Sequence, residues 1–204
     1  MLLPLFPLAV VLLPRNLLPL HIFEDRYKEM IGSVLETHTE FGVVLAAKDG
    51  IARIGCTAAV EQVLQRYEDG RLDILTVGRR RFMIQTLDQE KDYLRAEVEY
   101  FDDDDEVDAP GDLRQRAVRV CADLPSEGES PNAEDPLLSF HLAQRVEDLD
   151  FRQQLLMSRS EADRLRRLIQ FAPGYADQQR RVAHLKVVAP QNGHGRLPSG
   201  AKEA

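Results

Sequence analysis

The side chains in this chain that could ionise, attack or ligate are few, and they are poorly grouped. Cys56 and Cys121 match none of the paired spacings of a zinc site, and two cysteines are too few for a disulfide scaffold. A nucleophilic thiolate needs a base and an orienting group beside it. Cys56 sits in the apolar segment IGCTAAV and Cys121 on the apolar face of a predicted helix, so both read as small buried thiols. His21, His38, His141, His184 and His194 never fall two to a helical face, which argues against a metal centre. The chain has no GxxxxGK(S/T) phosphate loop, no GxSxG nucleophile turn and no HExxH helix. No catalytic residue, metal or cofactor is therefore expected.

Two charged runs remain. On a strand, Arg79 and Arg81 would share one face and Arg80 take the other, giving at most a small phosphate-binding patch. Charges around it are balanced and Phe82 is the one aromatic nearby, so pairing with carboxylates is the better reading and RNA binding the alternative. The run DDDDEVD, Asp102 to Asp108, lacks the D-x-(D/N)-x-(D/N)-G calcium spacing and reads as an extended, solvated connection. Residues 102–131 carry 3 basic and 10 acidic groups, against 12 and 15 in residues 1–101 and 11 and 9 in residues 132–204. The net charge of -8 disfavours nucleic acid as a main partner.

The elements that must hold these groups follow from periodicity. The opening stretch to Phe23 is apolar, but Pro4, Pro7, Pro14 and Pro19 break it and no basic segment precedes it. A membrane span or signal peptide is thus not expected, and a buried strand from Leu8 to Leu13 is. The spacing of Tyr27, Met30, Ile31, Val34 and Leu35 predicts a helix over 24–35. Strands are predicted at Phe41 to Ala47, at Thr57 to Tyr67 with a bulge near Glu61 and Gln62, in LDILTVG, in RRRFMIQTL, and at Leu94 to Tyr100. Asp49–Gly50 and Asp69–Gly70 supply turns.

Beyond the acidic run the pattern turns helical. Asp112 is placed as an N-cap, Ser126 to Asn132 as a loop, and Asp135–Pro136 as the start of a helix whose face continues to Leu149. Ser158 and Glu161 have the spacing of a capping box, and Pro173–Gly174 should end the last helix. The tail from Pro190 has little to bury. The organisation expected is a β domain over 1–101, a helical domain over 102–189 with an acidic linker at 102–110, and a disordered tail over 190–204. The fold class is α+β, and a reducing cytoplasm suits the cysteine usage.

Four segments carry a resemblance: PLFPLAVVLLPRNLLPLHIFEDRY from Pro4, FGVVL from Phe41, IGCTAAVEQV from Ile54 and DGRLDILTVGRRRF from Asp69. Together they resemble the Lon protease N-terminal, substrate-binding domain in a free-standing form. The resemblance implies a PUA-like pseudo-barrel with a packed helix, followed by a helical bundle, and a role in recognising unfolded or tagged polypeptide within protein quality control. It also implies a possible protease or ATPase partner, since no ATPase or peptidase motif is present here. RNA binding by PUA-like barrels elsewhere keeps the Arg79 to Arg81 patch as the alternative.

Within the matching region Phe23 is expected to anchor the helix start in the core, and Arg26 to pair with an acidic strand residue. A barrel joined to a bundle leaves a cleft, and junctions of that kind are preferred binding sites. Arg15, Leu17 and Leu18 hold more apolar side chain than an exposed corner needs, so they are the candidate peptide-binding residues. Without a backbone cradle for Mg-bound phosphates, efficient phosphoryl transfer has no route. Purified protein should therefore neither turn over ATP nor cleave casein, and ATP turnover that survives repurification would defeat this expectation.

Overall fold

Prolines at positions 4 and 7 would be expected to interrupt a strand, yet both lie inside the first one. The computed structural model describes residues 2–48, 50–104, 107–124 and 131–188, without the side chains of 184–188. Its first strand, β1, is Leu3–Leu8, not Leu8 to Leu13 as the apolar run suggested. The Leu5 N–H donates to Leu94 O, so alternation aims the Pro7 nitrogen the same way, beyond the paired residues Leu3 and Pro4. The Pro4 nitrogen faces the other neighbour, one residue before pairing with it begins at Leu5. Neither proline thus removes a needed hydrogen bond. Val11, Leu12 and Leu13 are buried without being a strand.

β2 (Leu17–Ile22) and helix α1 (Asp25–Thr37) come next, then β3 (Phe41–Ala47), the short β4 (Gly50–Ile51), β5 (Ile54–Arg66), β6 (Leu72–Asp88) and β7 (Arg95–Tyr100). The sheet order is β1-β7-β6-β5-β3, and β1 closes the ring by pairing parallel with β3, Leu5 opposite Gly42. β2 lies off this path, antiparallel to the first half of β6. The two strands expected from LDILTVG and RRRFMIQTL are one continuous strand, β6, which serves β2 and β5 with its first half and β5 and β7 with its second. The bulge expected near Glu61 is present between Val60 and Gln62, with two more at Cys56/Ala58 and Val63/Gln65. Such bulges raise the local twist that lets a long strand curl.

Leu3, Leu5, Val44, Phe82, Ile84 and Ala96 bring together side chains from four ring strands. Phe82 fits there because Gly55 has no Cβ, which would otherwise meet the ring of Phe82 at 2.7 Å. The other face of β1 and β3 belongs to the larger cluster, where Phe6 stacks on Tyr27 of α1 at 4.0 Å. That cluster continues without a break into the helices, on both sides of residue 101.

The helices are α2 (Gly111–Cys121), α3 (Leu138–Ala143), α4 (Leu149–Met157) and α5 (Glu161–Val188). α2 and α3 pack on α5, while α4 packs on β5. Several boundaries differ from expectation, among them the start of α2, where Pro110 rather than Asp112 is the cap and Asp112 lies in the first turn. The helix predicted to run on to Leu149 stops at Ala143, and Asp148 caps a new one by accepting from the Phe151 N–H at 2.8 Å. Ser160 rather than Ser158 caps α5, accepting from the Asp163 N–H at 3.1 Å, because Glu161 is engaged elsewhere. Pro173 does not end α5: Phe171 stacks on Phe151 at 3.8 Å, and Tyr175 and Ala176 are buried, so packing outweighs the lost hydrogen bond. The tail from Pro190, Asp49, Asp105, Glu106 and most of the Ser126 to Asn132 loop lie outside the described residues.

Barrel and helices are joined by buried charges. Arg164 of α5, fully buried, donates to Asp103 Oδ2 at 2.5 Å, Glu161 Oε2 at 2.8 Å and Ser139 Oγ at 2.7 Å. Arg81 of β6 donates to Asp103 Oδ1 at 2.6 Å and to Ser158 O at 2.5 Å. The ring of Phe140 lies beneath both guanidiniums, 4.3 and 5.4 Å from them. Burial alone would push the Asp103 carboxyl up, but Arg164 and Arg81 hold it below the ordinary carboxylate range.

Asp103→Asn should therefore cost on the order of 3 kcal/mol in urea unfolding at pH 7, because it leaves the buried Arg81 without its carboxylate and Arg164 with Glu161 alone. Since the folded carboxyl titrates lower than the unfolded one, its contribution is full above about pH 4 and fades as pH falls through the folded value. Unfolding curves measured from pH 7 to pH 2.5 should consequently show a weaker acid dependence in Asp103→Asn than in the parent.

Candidate functional site

The arginine run does not form one surface. A bulge on β6 itself, where Arg79 and Arg80 together oppose Thr57 of β5, breaks the alternation, so Arg79 and Arg80 are both exposed while Arg81 turns inward. Arg79 donates to Glu61 at 2.6 Å, Arg80 lies over the Tyr100 ring at 4.0 Å, and Arg81 is consumed by the buried network. The expected sharing of one face by Arg79 and Arg81 is thus corrected by the register shift. The thiols are inert on this geometry: both cysteines are buried, and burial pushes Cys56 up to about 12 and Cys121 up to about 11. Among the described residues no group of three or more His, Cys, Asp or Glu side chains is arranged to hold a metal ion.

The proline-bounded corner carries more. The segment ending at Leu13 crosses directly over Gly78 of β6, where a Cβ would collide with the Leu13 carbonyl. That close approach allows Arg15 N–H to donate to Gly78 O at 2.8 Å and Gly78 N–H to Asn16 O at 2.9 Å. Arg15 takes a left-handed conformation, φ 63°, to make the turn. Its guanidinium reaches out of the barrel to Asp135 Oδ1 at 3.0 Å, and His141 of α3 stands 3.6 Å from the other Asp135 oxygen. Asp135, placed as a helix cap by the sequence pattern, instead accepts from the Leu137 N–H in a turn ahead of α3 and ties the corner to the helices.

Between corner and helices lies a cleft of about 600 Å³, lined by Arg15, Asn16 and Leu17 on one side and by Asp135, His141 and Arg152 on the other. Leu18 does not line it; its side chain is half-buried and packs against the core. Asn16 is only 6% exposed, and its Oδ1 has no hydrogen-bond partner. The Nε of Arg152, on α4, is likewise buried and unpartnered. Burial holds the Arg152 guanidinium below its ordinary value.

β2 leads away from the cleft. The Gly78 N–H to Asn16 O bond fixes Asn16, Leu18, Leu20 and Ile22 as the residues that exchange hydrogen bonds with β6. Leu17, Pro19 and His21 therefore turn their backbone groups to the opposite edge and their side chains to the outer face, where Leu17 is 63% exposed. Among the described residues β2 pairs only with β6, so that edge is open. Pro19, with no N–H, occupies a position that an edge tolerates.

Phe23 lies at the far end and is 58% exposed, not anchored in the core as expected; it stacks with His21 at 5.9 Å. His21 Nδ1 is 2.5 Å from Asp73, which also accepts from the Tyr67 hydroxyl at 2.7 Å. The hydrogen bonds from His21 and Tyr67 hold the Asp73 carboxyl below its ordinary range. Arg26 pairs with its neighbour Glu24 at 2.7 Å rather than with a strand residue.

Asn16, Asp135, His141 and Arg152 were not among the expected binding residues: the sequence pattern placed Asp135 only as a helix cap and His141 only as an isolated histidine. A signal existed for one of them: Arg15 and Asn16 are the only polar side chains between Leu2 and Leu20. The other three come from segments far apart in sequence, which only the tertiary fold brings to the cleft.

Comparison with known proteins agrees with this architecture. The crystal structure of a Lon N-terminal domain protein from Xanthomonas campestris is 25% identical, with a TM-score of 0.67 over 85% of this chain and 99% of that one. The N-terminal domain of Mycobacterium avium complex Lon protease, 16% identical, shares the fold with a TM-score of 0.62 over 85% of this chain and 98% of that one. A ring of strands closed by β1, a helical segment packed on it, and a match of residues 2–150 to the family model together place the chain in the ATP-dependent protease La (LON) substrate-binding domain family.

Proposed function

We propose that this chain is a non-catalytic polypeptide-recognition protein linked to protein quality control, reading an extended client segment along the outer face and open edge of β2. The observation that carries the proposal is Leu17: a large apolar side chain, mostly exposed, at the start of an unpaired strand edge and at the mouth of the cleft. An edge strand offers main-chain hydrogen bonds to any extended chain, and alternate side-chain positions add selectivity. Leu17, Pro19 and Phe23 give that face its apolar character, and Arg15 marks its end. A protease or ATPase partner would supply the chemistry that the described residues lack. The RNA reading has less support, because the exposed Arg79 is already paired and Arg81 is internal. No helix of the described residues is long and apolar enough to cross a membrane.

The thiol-enzyme alternative has its own measurement. Native protein at pH 8 should leave both cysteines unlabelled by a disulfide reagent, and denaturant should expose both; rapid native labelling of Cys56 would contradict the buried assignment.

Leu17→Ser tests the binding face. Because Leu17 projects into solvent, the change should move stability by about 0.5 kcal/mol or less, while weakening binding of a fluorescent extended apolar peptide several-fold. Leu18→Ser, which removes packing beneath the strand, should cost on the order of 2 kcal/mol in denaturant unfolding. Unchanged peptide affinity in a stable Leu17→Ser protein would remove β2 from the site.

A further inference from the structure

The cleft beside β2 contains two buried polar groups that the protein does not satisfy. Asn16 Oδ1 is an acceptor without a donor, and Arg152 Nε a donor without an acceptor; both residues line one cavity. Buried polar groups in folded proteins are nearly always paired, and a guanidinium at a cleft with an unsatisfied N–H calls for an anionic oxygen.

The remaining charges set the valence. Arg15 is matched by Asp135 at 3.0 Å, and His141 stands 3.6 Å from the same carboxylate. Among the described residues no carboxylate pairs with Arg152, which leaves one uncompensated positive charge. One charge suits a carboxylate better than a doubly charged phosphate. The volume, about 600 Å³, exceeds what an isolated carboxylate occupies and leaves room for a terminal residue with its side chain.

Strand direction supplies the last step. The cleft lies at the Leu17 end of β2, where the strand begins. A chain added antiparallel to the open edge, as β6 is on the other side, runs toward Leu17 and delivers its C-terminal end there. We infer that the cleft is a carboxylate pocket that takes the free C-terminus of a bound polypeptide, with the Arg152 guanidinium holding the carboxylate. This inference rests on the β2 reading above and names the feature of the client that it selects.

The experiment uses one extended apolar peptide in three forms: free C-terminus, C-terminal amide, and amide with an Asp as its last residue. Each is titrated against the full chain and against Arg152→Met, Arg152→Lys and Leu17→Ser. The free form should bind the parent at least tenfold tighter than the amide. Arg152→Met should abolish that preference without lowering the melting temperature, since it removes an unsatisfied buried group, and Arg152→Lys should retain part of it. Leu17→Ser should weaken the free and amidated forms alike. Equal binding of the free and amidated peptides overturns the pocket while leaving the β2 reading intact, provided Leu17→Ser still weakens both. Full recovery of affinity by the terminal Asp amide assigns the pocket to a side-chain carboxylate and overturns the C-terminus assignment. Failure of every form to bind the parent overturns both readings.

Discussion

One shared carboxylate holds the architecture together. Asp103 accepts from Arg81 on β6 and from Arg164 on α5, and the two guanidiniums meet again on the carbonyl of Ser158. Charges this deeply placed are stabilising only when every partner is present, because the cost of desolvating them is repaid by geometry alone. Here the geometry is supplied by four separate stretches of chain: a barrel strand, the segment after β7, α3 through Ser139, and the start of α5. The network therefore does more than join two layers. It fixes the end of α4 against β6 through the carbonyls of Leu156 and Ser158, and α4 carries Arg152 into the cleft. The shape of the candidate site is thus set by residues that never touch it.

The sequence made some of this visible. Helix α1, β3, the bulged β5 and the Asp69–Gly70 hairpin follow directly from periodicity and turn chemistry, because each is decided within a few residues. Failures cluster where distant packing overrides a local rule. Pro173 is a sound stop signal by itself, but Phe151 and the buried side of α5 hold the helix through it. Ser158 and Glu161 have capping-box spacing, but Glu161 is drawn to Arg164 and Ser139, and Ser160 takes over the cap. The apolar run after Leu8 reads as a strand, yet it is buried by crossing Gly78, a contact between residues more than sixty positions apart.

The candidate site divides in the same way. Leu17 and Arg15 stood out because apolar bulk at a proline corner needs an explanation, and the corner does border the cleft. Leu18 follows Leu17 in sequence but alternates to the inner side, so a two-residue distinction that composition cannot make is made by the pleat. Arg79, Arg80 and Arg81 illustrate the converse: three adjacent like charges promised one patch, and a single bulge in their own strand sent them to three different environments.

Pro19 has a consequence for how long anything stays on β2. Of the three outward-facing residues on that edge only Leu17 and His21 have an N–H to offer, so an arriving strand meets a ladder with its middle rung missing. A second copy of this chain presenting the same edge would bring a second gap, which disfavours growth into stacked assemblies. A foreign strand laid on this edge would find two N–H and three C=O groups on Leu17, Pro19 and His21 rather than three of each. An edge built this way suits a surface that must release each occupant and be free for the next.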